Sequence, residues 1–186
     1  MKALLIIDMQ RWMFRYPERL AQAPRLSANI ELLATAFARA GLPVFQVDTI
    51  HKADRSTWSR LMRKHDYSCL IEGTPDVAPV DGFSPPHGAI RIVKTANSAF
   101  VGTDLDCVLR RAGIVELVLT GVFIDGCVGL TAADAAQRGY EVTFVEDAIG
   151  HTRAERREVV LNWLVSDYEL NRRAAKEVGK QIAAGA

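Results

Sequence analysis

The sequence predicts a doubly wound, Rossmann-like α/β domain: three layers, α/β/α, around a parallel sheet of five or six strands. Three observations lead there. Short apolar runs with little alternation recur along the chain, as strands covered on both faces require. Helix-like segments separate these runs, and strand alternating with helix builds a parallel sheet through right-handed crossovers. The chain has 186 residues, 49% hydrophobic and 24% charged, which is volume enough for one core. One domain over 1–186 is expected.

The elements follow in order. "ALLII" (3–7) reads as the first strand and ends at Asp8. Leu26, Ile30, Leu33, Phe37 and Ala40 recur every three or four positions, so 25–40 is an amphipathic helix. Gly41 stops it and Pro43 opens "PVFQV" (43–47), the second strand. "AIRIV" (89–93), "VELVLTGV" (115–122) and "EVTFV" (141–145) supply three more. Helices are expected over 104–112 and 127–138, closed by Gly113 and Gly139, and over the charged tail from about 153 onward. The stretch 51–88 has mixed charge and weak periodicity. An insertion of that length in a compact domain is often functional, as a lid or a contact between subunits.

Composition excludes several classes. A net charge of +1 argues for neither nucleic acid nor a membrane surface as partner. The three cysteines, Cys69, Cys107 and Cys127, form no disulfide framework and no Cys-x-x-Cys pair, which suits a reducing cytoplasm. The apolar run of "MKALLIIDMQ" is too short for a signal-peptide core, and no stretch approaches the ~18 apolar residues of a membrane span. After the first strand, "DMQRWMF" contains no G-x-G-x-x-G, so a dinucleotide-binding turn is absent and no cofactor is expected.

Ligands of such sheets collect beyond the carboxyl ends of the strands. Three reactive side chains stand there: Asp8 after the first strand, Lys94 after "AIRIV", and Cys127 just past "VELVLTGV". Asp8 either caps a turn or serves chemistry, since a carboxylate behind five apolar residues is costly unless paired. Lys94 either reaches water or holds a negative charge. Cys127 either packs as a small hydrophobe or acts as a nucleophile. At the first turn of a helix it feels the positive end of the macrodipole, which favours thiolate. "VFIDG" before it offers backbone N–H groups in a non-helical turn. Together the three suit acyl transfer, with the carboxylate moving the proton and the lysine stabilising the thiolate.

"LLIIDMQ", "RIVKTANSAF" and "TGVFIDGCVGLTAADAAQRGYEVTFVEDA" resemble, in order and spacing, the motif blocks of the isochorismatase-like cysteine hydrolases, which include the nicotinamidases and related amidohydrolases. The resemblance runs from residue 3 to about 150. It implies a sheet of six parallel strands, an Asp8–Lys94–Cys127 triad, a cis peptide at Val122–Phe123, and an oxyanion hole built from the N–H groups of Phe123 and Cys127. It also implies a homodimer or homotetramer acting on a small molecule. The nicotinamidases carry an Asp-x-His metal pair after the second strand. Here Asp48 and His51 stand one position too far apart, and neither His65 nor His87 completes a matching set, so no metal is expected and nicotinamide is disfavoured. Ile124 occupies a position that often holds a small hydroxyl residue in the family.

Three readings follow. The first is C–N hydrolysis of a small amide-type substrate through a thioester. The second is isochorismatase-type cleavage of a vinyl ether, with Asp8 as proton donor and the thiol a bystander. The third is a silent regulatory or scaffold domain. Gln10, Phe14, Phe100 and Ile124 are the expected pocket residues, with Trp12 and Trp58 as further aromatic candidates. Cys107 reads as packing, Cys69 has no adjacent base, and Asp134 reads as a bond either to backbone or to a neighbouring strand loop, not as a catalytic group. "HKADRSTWSRLMRKHD" holds five Lys/Arg residues that either steer an acidic substrate or form a solvated face.

Overall fold

The computed structural model describes residues 1–185; Ala186, the last position of the expected domain, lies outside them. Six parallel strands run β1 (Lys2–Ile7), β2 (Val44–Thr49), β3 (Ile90–Lys94), β4 (Glu116–Gly121), β5 (Glu141–Ile149) and β6 (Asn171–Arg173), in the spatial order β3-β2-β1-β4-β5-β6. The order reverses at β1, so β1 is central and the crossovers fall on both faces. The helices are α1 (Pro17–Leu20), α2 (Ala23–Arg39), α3 (Arg60–His65), α4 (Leu105–Arg111), α5 (Cys127–Gln137), α6 (Ala154–Tyr168) and α7 (Ala175–Ala184).

The two-residue period of β1 divides the core. Leu5 and Ile7 face α4, α5 and α6, whereas Leu4 and Ile6 face α2 and α7. On α2 the buried Leu26, Ile30, Leu33 and Phe37 form the apolar stripe that the spacing predicts. No described helix is long and apolar enough to cross a membrane.

Four expectations need correction. The tail beyond 153 is not one helix. Glu169 adopts a left-handed φ of 53°, ends α6, and lets the short edge strand β6 pair beside Thr143–Val145 before α7 begins. "AIRIV" is not covered on both faces either: β3 is an edge strand, with Ile90 and Val93 exposed. Cys107 is exposed, because Leu105 and Leu109 are the buried positions of α4 and Cys107 points the other way. Finally, β5 runs on to Ile149, with a register shift against β4 between Leu119 and Gly121.

The stretch 51–88 holds α3 and a 3₁₀ turn, Pro75–Val77. It is tied to the sheet's carboxyl end by bridges His51↔Ile71 and Gln10↔Pro79. Trp58, Met62 and Cys69 form a small core of their own within it.

Candidate active site

Asp8 follows β1 in a left-handed conformation, φ 54°, which Asp tolerates better than most residues. Its N–H donates to Val47 O at 2.8 Å, so β2 fixes where the carboxylate starts. The side chain is fully buried. Its Oδ2 lies 2.8 Å from Lys94 Nζ, and its Oδ1 accepts from Thr49 Oγ1 at 2.8 Å. Lys94, equally buried at the end of β3, also donates to Thr49 Oγ1 at 2.6 Å and to Ala96 O at 3.1 Å. One hydroxyl on β2 therefore ties the carboxylate of β1 to the ammonium of β3.

Thr49 carried no signal in the sequence, being an ordinary β-former at a strand end. The structure reveals its place through register: Thr49 pairs with Lys94 across the β2–β3 ladder. Gln10 holds Thr49 in turn. The Gln10 Oε1 accepts from Thr49 N at 2.9 Å, and Nε2 donates to Thr49 O at 3.0 Å.

Cys127 opens α5 behind Gly126 as N-cap. Two glycines set this turn. A Cβ on Gly121 would lie 2.1 Å from Ile7 O, and one on Gly129 would lie 2.2 Å from Ile124 O. Neither position has room for a side chain, so β4 and the first turn of α5 press against their neighbours. Between them the Val122–Phe123 peptide is cis. The N–H groups of Phe123 and Cys127 donate to no other group among the described residues. Asp125 anchors the turn by accepting from Thr152 N at 2.9 Å and from the Thr152 hydroxyl.

The half-buried Cys127 thiol stands within hydrogen-bonding reach of Asp8 and Lys94, with Asn97 Oδ1 4.0 Å from Sγ. Burial pushes the thiol well above its ordinary pKa, the Asp8 carboxylate pushes it further, and Lys94 pulls partly back. This corrects the expectation from the helix macrodipole, which burial and the carboxylate outweigh. Burial works against the Lys94 ammonium, but Asp8 and then Cys127 hold its pKa above the usual lysine value. At neutral pH the lysine is charged and the sulfur carries its proton. A proton passing from Sγ to Asp8 leaves the net charge of the cluster unchanged, so no new buried charge is created.

That sign yields a measurable expectation. Asp8→Asn removes the charge that raises the thiol and keeps the Lys94 ammonium that lowers it. Iodoacetamide then alkylates Cys127 faster in Asp8→Asn than in the parent at any pH between 6 and 8, by roughly threefold for each unit the thiol pKa falls, because the gain in thiolate is partly offset by its lower nucleophilicity. Peptide mass spectrometry reads the rate. An unchanged rate would show that Asp8 does not face the sulfur, and a slower one that its service as proton acceptor outweighs the effect of its charge.

Cys127 opens onto a cavity of about 870 Å³. Trp12, Met62, Leu70, Leu130 and Trp163 make it largely apolar, and His51, Arg60, Asn97 and Asp134 are its polar points. The expected pocket residues are placed differently. Gln10 is buried and committed to the backbone of Thr49. Phe14 packs on Phe123, with ring centroids 6.3 Å apart, and Phe100 stacks on Tyr140 at 5.9 Å. Ile124 belongs to the core beneath α5 and α6. None of these four lines the cavity beside Cys127, because each side chain turns into the core layers. Of the other aromatic candidates, Trp12 lines it and Trp58 lies behind its wall.

Asp134 accepts from Ser98 Oγ at 2.5 Å, which fastens the loop after β3 to α5. Cys69 lines the cavity too, but burial raises its pKa and Asp76 raises it further, against a partial pull from Arg15. Asp48 and His51 take separate partners. The Asp48 carboxylate accepts from Gln46 Nε2 and Arg91 Nε, both at 2.8 Å, while His51 Nδ1 donates to Thr57 O at 2.9 Å.

The profile of the isochorismatase domain matches residues 2–168. Maleamate amidohydrolase of Pseudomonas putida is 30% identical over 173 residues, 89% of this chain and 80% of that protein. Ureidoacrylate amidohydrolase of Agrobacterium fabrum is 36% identical over 101 residues, covering 54% of this chain and 44% of the relative's length. In three dimensions, a cysteine hydrolase from Pseudomonas syringae superimposes with a TM-score of 0.90 at 22% identity, over 100% of this chain and 93% of the other, which shows the shared fold.

Proposed function

Because this chain belongs to the isochorismatase family, a family of hydrolases, we propose that it cleaves the C–N bond of a small amide through a thioester on Cys127. The observation that carries the reading is the buried Asp8–Lys94 pair beside a thiol that opens onto an apolar cavity. Similarity to maleamate and ureidoacrylate amidohydrolases supports the amide as substrate class.

Asp8 takes the Sγ proton as sulfur attacks the amide carbon. The carbonyl oxygen becomes an oxyanion facing the unpaired N–H groups of Phe123 and Cys127. Asp8 returns the proton to the departing nitrogen, the C–N bond breaks, and an acyl-cysteine thioester remains. Water then attacks the thioester carbon as Asp8 accepts its proton. The second oxyanion collapses, the C–S bond breaks, and sulfur recovers the proton from Asp8. Lys94 stays charged throughout and offsets the negative charge that moves between carboxylate and sulfur. Gln10 and Thr49 keep the carboxylate in place.

The test is ammonia release from a panel of small primary amides, together with mass spectrometry of enzyme quenched during turnover. An acyl adduct on the peptide containing Cys127 is expected. Turnover with no adduct on that peptide, even when substrate is saturating and the quench is fast, counts against the thioester.

A further inference from the structure

Asn97 touches the nucleophile and has no task in the steps above. Its Oδ1 lies 4.0 Å from Cys127 Sγ, the outer limit of a bond from the thiol, and its side chain makes no other hydrogen bond among the described residues. Its neighbours on the cavity wall are committed: Ser98 to Asp134, Ser59 to Met62 N, and Gln137 to Ala133 O.

The backbone on both sides of Asn97 is held. Ala96 O accepts from Lys94 Nζ at 3.1 Å. Ser98 Oγ donates to Asp134 at 2.5 Å, and Ala99 N donates to Thr131 Oγ1 at 3.0 Å. Thr131 and Asp134 belong to α5, the helix that Cys127 opens. The loop is tied to the ammonium on one side and to the nucleophile's own helix on the other. The place of Asn97 relative to Sγ is therefore set before a substrate arrives.

Proton bookkeeping says what this amide can do. In the resting enzyme Sγ carries its proton and Asn97 turns its oxygen toward it. Once that proton has passed to Asp8, Oδ1 has lost its donor and faces a sulfur that offers none, so a new donor is favoured there. Three groups surround the attacked carbon besides sulfur. The oxyanion faces the N–H groups of Phe123 and Cys127, the acyl chain takes the apolar cavity, and the third group is the nitrogen. Its lone pair must face Asp8 to be protonated, which directs its N–H bonds elsewhere.

We infer that Asn97 Oδ1 accepts an N–H of the scissile amide in the tetrahedral adduct, turns the nitrogen lone pair toward Asp8, and so favours amides over esters of the same acyl group. The inference rests on the hydrolase reading and deepens it by assigning the residue that reads the leaving group. The nitrogen is two bonds from Sγ in that adduct, so a group 4.0 Å from the sulfur is within its reach. An ester has no N–H and leaves Oδ1 unpaired, and a site built to bond an N–H discriminates against a substrate that lacks one.

The experiment compares kcat/KM, which reports acylation whichever step limits kcat, on amide and ester pairs that share an acyl group. The pairs are butyramide with methyl butyrate and benzamide with methyl benzoate, and the proteins are the parent, Asn97→Ala and Asn97→Asp. Asn97→Ala should lose about tenfold on the amides and less than about twofold on the esters. Its urea midpoint should not move, since the side chain is exposed and bonded to nothing else among the described residues. Asn97→Asp keeps the acceptor. Its charge opposes the thiolate and slows both members of a pair, but the amide-to-ester ratio should stay at or above the parent's, which a merely structural role for Asn97 does not predict. A loss in Asn97→Ala shared equally by amide and ester, or a ratio that falls as far in Asn97→Asp as in Asn97→Ala, overturns the inference and leaves the hydrolase reading standing. No hydrolysis of any amide by the parent ends the C–N reading and takes the inference with it.

Discussion

Cys127→Ala should lower amide hydrolysis by about 10⁴-fold or more, because a covalent mechanism without its nucleophile keeps only binding and the oxyanion donors. The fold should survive. The side chain is half-buried, its hydrogen bond to Asn97 is long at 4.0 Å, and alanine suits the first turn of a helix. Ammonia release measures the loss, and far-UV circular dichroism with a urea titration checks that the protein remains intact. A variant that keeps amide turnover ends the thioester mechanism. Loss on amides with retained cleavage of a vinyl ether would instead give Asp8 the chemistry as proton donor and make the sulfur a bystander.

Lys94→Met carries the second large effect, this time on stability. The lysine is fully buried and surrounded by Asp8 Oδ2, Thr49 Oγ1 and Ala96 O. Its loss leaves the Asp8 carboxylate buried with one donor, Thr49, and no counter-charge. Breaking a buried pair from one side costs about 3–5 kcal/mol, which for a chain of this size lowers Tm by about 10 °C. Replacing both partners removes the orphaned charge, so Asp8→Asn/Lys94→Met, which keeps at position 8 a residue that tolerates the left-handed backbone, should recover much of the stability while remaining inactive. Denaturant midpoints of the two single variants and the double variant complete the cycle. A single Lys94→Met variant within about 1 kcal/mol of the parent would show that water reaches Asp8 in solution and that the pair is not sealed. The same cycle tells a site kept for chemistry from a pair kept for packing.

The sheet and the residues of the candidate site are legible in the sequence for a common reason. Apolar runs mark strands by composition alone, and Asp8, Lys94 and Cys127 are conspicuous because each interrupts or follows such a run at the end where ligands gather. Thr49 lacks that contrast. Its importance comes from the register that sets it against Lys94, and register is a property of two strands together. The pocket walls are not legible for a related reason. Phe14 and Phe100 stand near Asp8 and Lys94 along the chain, but nearness in sequence does not say which face a side chain takes. Trp12 and Met13 line the cavity, whereas their neighbour Phe14, in the same 3₁₀ turn Arg11–Phe14, packs on Phe123. Trp163 and Tyr168 reach the cavity from α6, an element no local signal connects with Cys127. The strand β6 escaped notice because three polar residues at a sheet edge have neither the length nor the apolarity of a strand signal.

The ion pair joins β1 to β3, which do not touch; β2 lies between them and supplies the hydroxyl that both partners share. Thr49 is 41 residues from Asp8 and 45 from Lys94 along the chain. No hairpin or helix can assemble this centre locally, and each contact requires a long loop to close first. The cluster therefore has no precursor in a partly folded chain. Helices can return early during refolding, but hydrolysis resumes only when three parallel strands have found their register, and turnover becomes a reporter of the completed sheet.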